Sequence, residues 1–275
     1  MVPAIVLNDA VLGEIAKATE VGQFLWQREW AERNGGNLSI DLTDLLPDVS
    51  AQTATSVLQP VADLPRTAAG QLYFMKGSGE RMRDLVRPHE AGCIIRIDDL
   101  ATGYQVMWGG RGRANYKPTS ELLSHIKLLL DARHRASTDR CVVHTHPHEL
   151  IMLSHHPVLG QDPSAYNLAC WKMLPEVRAF VPRGVRLVPY LRSGSVALSD
   201  ATVVALQTAD VAMWEKHGAV AMGTDALSAF DLIDVANKGA KLYLGCLASG
   251  FEPAGLSDTQ LTELAAVFNL PAAQF

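Results

Sequence analysis

The stretch Cys141-Val142-Val143-His144-Thr145-His146-Pro147 reads as a short buried strand that a proline ends. Its β-branched residues suit a pleated, covered surface, and Pro147 lacks the N–H that a further ladder position would need. Alternate side chains of a strand share a face, with Cα atoms about 7 Å apart. His144 and His146 therefore point the same way, and Val143 and Thr145 the other.

Working outward from this strand, Pro118-Thr119 is expected to open a helix carrying Leu122, Ile126 and Leu129. Short strands are expected at 71–76, 93–98 and 104–108, separated by glycine-rich or acidic turns. The segment from Asp44 to Gly70 has the Pro, Asp, Ser and Thr content of a long surface excursion. Leu38 to Leu42 alternates like a strand. A first helix begins at Asn8, with Val11, Ile15, Ala18, Gly22 and Leu25 on one face. It is expected to stop at Asn34-Gly35-Gly36-Asn37, whose glycines permit positive φ. On the C-terminal side the pattern predicts a helix over roughly 164–174, a strand at 186–189, and two strands flanking His217-Gly218. Ser199 and Thr224 are expected helix caps, and Ser257-Asp258-Thr259-Gln260 has capping-box spacing. Helices and strands interleave, yet many strands lie close together. That predicts an α/β layered single domain over residues 1–275, with a central mixed, largely antiparallel sheet flanked by helices.

Hydrophobic residues make up 48% of the 275 and charged residues 19%, ample for a core. A formal net charge of -5 lacks the Lys/Arg surplus on which nucleic-acid binding rests. An anionic ligand must then be held by local donors. No run of 18 apolar residues is free of charge, so no membrane span is expected. Cys93, Cys141, Cys170 and Cys246 form no C-x-x-C pair and suit reduced thiols. With an N-terminus that lacks a basic n-region and a long apolar run, this predicts a cytoplasmic protein.

Imidazole is a good zinc ligand, and a catalytic zinc keeps three protein ligands and an open position. His144 and His146 offer two. His217, between strand-like segments and followed by Gly218, is the candidate third. His-x-His alone is as compatible with core packing as with a metal, and His217 alone reads as a turn histidine. Glu121 is either an acid favoured by the macrodipole in a helix's first turn or a general base close to the ion. Glu176, after Pro175, is a solvated charge unless the fold or another subunit brings it to the metal. Asn34-Gly35-Gly36-Asn37 and Lys76-Gly77-Ser78-Gly79 are turns whose N–H groups and short side chains can cradle an anion. Thr119 and Ser120 add donors at a helix N-terminus. Neither glycine turn matches a Walker A or dinucleotide fingerprint. Each alone is a plain turn, and the His-x-His pair beside them gives them weight. Nothing marks Lys76, Lys117 or Lys172 as an activated Schiff-base lysine.

In their order and spacing, Arg33-Asn34-Gly35-Gly36-Asn37-Leu38, Gly77-Ser78-Gly79, Pro118-Thr119-Ser120-Glu121, His144-Thr145-His146 and His217-Gly218 resemble the class II aldolase/adducin family over nearly the whole chain. The resemblance implies a zinc-dependent aldehyde-lyase that cleaves a ketose 1-phosphate to dihydroxyacetone phosphate and a short aldehyde through an enediolate. It implies one zinc on His144, His146 and His217, with Glu121 as the acid/base group. It implies Asn34, Gly35, Asn37, Ser78, Gly79 and Ser120 around the phosphate, and Glu176 as a carboxylate acting from a neighbouring subunit. The lead-in to Glu176, Trp171-Lys172-Met173-Leu174-Pro175, departs from the family pattern. The resemblance also implies a homotetramer with sites at subunit interfaces. Another aldolase, or an epimerase or dehydratase on the same scaffold, would reuse the zinc and the phosphate donors. An adducin-like interaction domain would be expected to lack the metal ligands.

Overall fold

Asn8 starts the first helix, as its chemistry predicts. Its side-chain oxygen accepts from the Val11 N–H at 3.0 Å, pairing one of the amides that a helix N-terminus leaves without an intrahelical partner. The computed structural model of the protein describes residues 5–47, 49, 54–113 and 115–271. Helix α1 (Asp9–Gln27) buries Val11, Ile15, Ala18, Gly22 and Leu25, and Val21 with them. It ends well before the Asn34-Gly35-Gly36-Asn37 turn expected to stop it. Glu29 takes a left-handed φ of 61°, the Trp30 N–H reaches back to Leu25 O at 2.9 Å, and Trp30 and Ala31 turn inward. Burying an indole at 3% exposure outweighs the high helix propensity of Arg28, Glu29, Ala31, Glu32 and Arg33, which follow Gln27.

The chain divides into two compact units. One is Met1–Thr145 with Arg192–Asp200 and Gly223–Ala229; the other is His146–Leu191 with Ala201–Met222 and Phe230–Phe275. Its strands belong to a mixed, largely antiparallel sheet flanked by helices, the architecture expected from the sequence.

The first unit contains β1 (Asn37–Asp41), β2 (Gln59–Pro60), β3 (Leu72–Lys76), β4 (Gly92–Ile97), β5 (Gly103–Gly109) and β6 (Cys141–Thr145). They run in the order β2-β5-β4-β3-β1-β6, every neighbouring pair antiparallel. Between β3 and β4 the chain forms a 3-10 turn at Met82–Val86 and the one-turn helix α2 (Pro88–Ala91). The expected surface excursion from Asp44 to Gly70 holds β2 and a 3-10 turn at Arg66–Ala68; its residues 48 and 50–53 lie outside the described residues. Helix α3 (Leu122–His134) begins later than the predicted Pro118. Pro118 instead bridges to Gly77, and the Thr119 N–H donates to Lys76 O at 2.9 Å.

All five residues of β1 are buried, which places a polar seam inside the unit. Asn37, Ser39 and Asp41 alternate along one face of the strand, and each meets a partner on or just before α3. Asn37 Nδ2 donates to Glu121 Oε2 at 2.8 Å, Ser39 Oγ and His125 Nδ1 are 2.6 Å apart, and Arg133 Nε donates to Asp41 Oδ2 at 2.5 Å. Glu121, His125 and Arg133 recur at multiples of four residues, the spacing of one helical face.

In the second unit β7 (Val185–Val188), β8 (Val211–Trp214) and β9 (Gly218–Gly223) run in the order β9-β8-β7, with β7 and β8 parallel and β8 and β9 antiparallel. Its helices include α4 (His148–Ser154), α5 (Pro163–Trp171) and α6 (Pro175–Phe180). Two longer helices follow in the chain, α7 (Val196–Thr208) and α8 (Ala226–Ala248). The expected caps of these two move, from Ser199 back to Ser195 and from Thr224 on to Asp225. Ser195 Oγ accepts from Leu198 N–H at 3.2 Å and Asp225 Oδ1 from Ser228 N–H at 2.8 Å. Ser199 lies inside α7, buried against the Ser124 hydroxyl at 2.9 Å. The last helix, α9 (Asp258–Val267), carries the predicted capping box between Ser257 and Gln260. Among the described residues no helix is long and apolar enough to cross a membrane.

Candidate metal centre and active site

Strand β6 ends at Thr145, whose hydroxyl donates to Trp30 O at 2.7 Å. His144 and His146 flank it with the opposite sense that alternation predicts. His217 sits in the tight turn joining β8 to β9, its N–H bonded to Trp214 O at 3.0 Å, after Lys216 at a left-handed φ of 59°. Its ring lies 5.2 Å from that of Trp214 and 5.3 Å from that of His146. Trp214 is anchored in turn by its Nε1–H, which donates to Thr202 Oγ1 at 2.9 Å.

His144, His146 and His217 bring one ring nitrogen each to within 4.8 Å of one another. Three imidazoles so gathered form a donor set that a divalent transition-metal ion accepts. The residues present thus fit a metal.

Glu121 stands beside this group rather than in the first turn of α3. It is the residue just before the helix, and its side chain makes no cap bond. Oε2 lies 3.7 Å from His144 Nε2, Asn37 Nδ2 donates to that same oxygen, and the Ser193 hydroxyl donates to Oε1 at 2.6 Å. Burial alone would push this carboxyl up. The His144 imidazole and the hydrogen bonds from Asn37 and Ser193 outweigh it and hold the group at about 2. The carboxylate is therefore ionised at neutral pH and able to accept a proton. Asn37 Oδ1 is buried with no hydrogen-bond partner among the described residues.

The expected phosphate donors separate into two sets. Ser78 and Ser120 are exposed and line a cavity of about 610 Å³ together with Lys117, Thr119, Arg192 and Gly194. Asn34, Gly35, Asn37 and Gly79 do not line it. Asn34 and Gly79 are exposed, Gly35 is half-buried, and Asn37 directs its amide to Glu121. Gly79 has a φ of +77°, which only glycine adopts without strain. Glu176 is exposed in the first turn of α6, and no described contact links it to Glu121.

Three contributors escaped the sequence reading. Ser193 bonds the carboxylate from a position 72 residues away. Its turn, Arg192-Ser193-Gly194-Ser195, pairs a glycine with serine as Lys76-Gly77-Ser78-Gly79 does, but nothing local to it marks Glu121 as its partner. Gly194, at φ +71°, passes so close to Ser120 O that a Cβ would lie 3.0 Å from it. His125 is buried, and desolvation lowers it to about 4 against the opposing charge of Glu121. Lys76, expected only as part of a glycine turn, is 2% exposed. Its Nζ donates to Asn34 O at 2.8 Å and Glu80 O at 2.7 Å.

The profile of the Class II Aldolase and Adducin N-terminal domain family matches residues 16–244. The chain belongs to this family, and it is a lyase of the aldolase type. It is 41% identical over 264 residues to a rhamnulose-1-phosphate aldolase of Bacteroides thetaiotaomicron, covering 95% of this chain and 96% of that one. It is 27% identical to a rhamnulose-1-phosphate aldolase of Listeria welshimeri, over 91% of this chain and 90% of the relative. Among solved structures, a sugar-phosphate aldolase from Thermotoga maritima superposes with a TM-score of 0.74 at 27% identity, covering 88% of this chain and 98% of the other.

Proposed function

We propose that this protein is a zinc-dependent aldolase that reversibly cleaves L-rhamnulose 1-phosphate to dihydroxyacetone phosphate and L-lactaldehyde. The observation that carries the reading is a buried, doubly hydrogen-bonded Glu121 placed 3.7 Å from His144 of the three-histidine group. The substrate is supported by the names of the relatives that match along almost their whole length.

His144, His146 and His217 would hold the zinc, and when bound it supplies Lewis-acid polarisation of the ketose carbonyl. As the C3–C4 bond breaks the C4 hydroxyl gives up its proton, and Glu121 moves the proton at the carbon that becomes C1 of dihydroxyacetone phosphate, returning one in cleavage and removing one in synthesis. Asn37 and Ser193 fix the carboxylate, so the proton is exchanged at a defined place. The donors Asn34, Gly35, Asn37, Ser78, Gly79 and Ser120 clamp the phosphate, and that remote binding energy orients the reacting carbons. Glu176, exposed on α6, serves the aldehyde oxygen in a neighbouring subunit's site within a cytoplasmic homotetramer. On this reading residues 1–275 act as one class II aldolase-like domain.

The test is metal content measured together with cleavage of L-rhamnulose 1-phosphate, before and after EDTA. About one zinc per subunit, with activity lost on chelation and restored by zinc, is the expected result. Bound zinc without cleavage redirects the search to other aldolase, epimerase or dehydratase chemistry on related sugar phosphates. Activity that survives complete metal removal ends the zinc reading.

A further inference from the structure

Lys76 closes β3 as a buried side chain at 2% exposure, and its amine joins two segments that the sequence keeps far apart. One hydrogen bond goes to the carbonyl of Asn34, in the first glycine turn. The other goes to the carbonyl of Glu80, just past the second. Among the described residues no carboxylate lies within 4.0 Å of its nitrogen, so neutral carbonyls satisfy the ammonium without neutralising it. A buried cation is costly unless some group supplies the opposite charge. The side chains read as phosphate donors, Asn34, Asn37, Ser78 and Ser120, are all uncharged, and the protein as a whole carries -5.

We propose that Lys76 is the positioning residue and buried charge complement of the phosphate clamp, holding the two glycine turns together and supplying positive potential to a phosphate it does not touch. This rests on reading those turns as the clamp. The charged groups facing Lys76 are Glu121, beside the N-terminus of α3, and Glu80, which Arg111 and Arg113 pair at 3.6 and 2.7 Å. Burial lowers the amine to about 8 against the opposing pull of these two carboxylates. The charge is therefore present at neutral pH and lost as the pH rises through that value.

The experiment compares the zinc-loaded wild type with Lys76→Met and Lys76→Arg. Calorimetry gives the affinity for inorganic phosphate, and kcat/KM is measured for L-rhamnulose 1-phosphate and for unphosphorylated L-rhamnulose. The expected result is a loss of about tenfold or more for Lys76→Met on phosphate and on the phosphorylated ketose, with the unphosphorylated ketose unchanged within about twofold. Lys76→Arg should recover most of the phosphate affinity. Equal losses on both ketoses, or none on either, would overturn the proposal and leave the aldolase reading standing. A wild type that binds no phosphate would overturn the clamp itself, and this inference with it. Should Lys76→Met fail to fold, the wild type decides. Its KM for the phosphorylated ketose should rise from about pH 7 to about pH 9 beyond any change for the unphosphorylated one. A flat ratio rejects the role.

Discussion

The seam between β1 and α3 and the rim of glycine turns lie in the same unit and are built in opposite ways. In the seam, Asn37, Ser39 and Asp41 meet Glu121, His125 and Arg133 through side-chain bonds of 2.5 to 2.8 Å, the first two buried and the third part-buried. At the rim, Asn34, Ser78, Gly79 and Ser120 are exposed, and what holds them is backbone. Ser78 N–H donates to Lys117 O at 2.8 Å, and the Asn34 carbonyl is tied down by Lys76. A group that exchanges a proton needs a defined position and protonation state, which buried bonds provide. Groups that must bind and release an anion need open side chains on a fixed backbone. The contrast also means that substitutions in the two regions should fail differently.

The largest effect is expected at the end of the seam. Glu121→Gln keeps a carbonyl for Asn37 and a polar group for Ser193, so the fold and the zinc content should be retained while kcat falls about 10²–10⁴-fold. Normal turnover in a folded, metal-replete variant would remove Glu121 from the mechanism and dissolve the functional half of the comparison.

The next effect is on stability and depends on pH. His125 is buried neutral, lowered from 6.5 to about 4, so between those values the unfolded chain binds a proton that the folded one refuses. Its contribution is fully present above about pH 6.5 and is lost as the pH falls towards 4. On going from neutral pH to about pH 4, the wild type should lose about 3 kcal/mol relative to Ser39→Ala/His125→Phe, which has nothing to titrate there. Urea unfolding at the two pH values measures it. Parallel losses in both proteins would show that the seam is not where acid acts.

The smallest effect belongs to the rim. Ser78→Ala removes one exposed hydroxyl, so KM for the phosphorylated ketose should rise a few-fold, with stability inside about 0.5 kcal/mol. A loss of stability as large as that of a seam substitution would erase the distinction between the two regions.

Much of this organisation can be read in the chain itself. The two-residue repeat of His144 and His146 follows from strand geometry, and the capping box and glycine turns follow from local sterics and side-chain chemistry. The family's motifs, met in order, name the class that the profile match then establishes. Where local signals competed, the reading slipped. Helix propensity runs on past Gln27 but yields to the burial of Trp30, and Pro118 is taken by a bridge to Gly77 before it can start α3.

Tertiary structure alone decided the environment of each charged group. Glu121 reads the same in sequence whether it is a solvated helix-end acid or a buried carboxylate beside His144. Lys76 looks like any lysine before a glycine, and Ser193 has no local mark of its bond to a residue 72 positions earlier. Periodicity and capping arise from covalent geometry over a few residues, so the sequence by itself determined the elements and the residue types that can bind a metal. Desolvation and counter-charge depend on which strands end up adjacent, so the chemistry those residues can perform was decided only in the folded molecule.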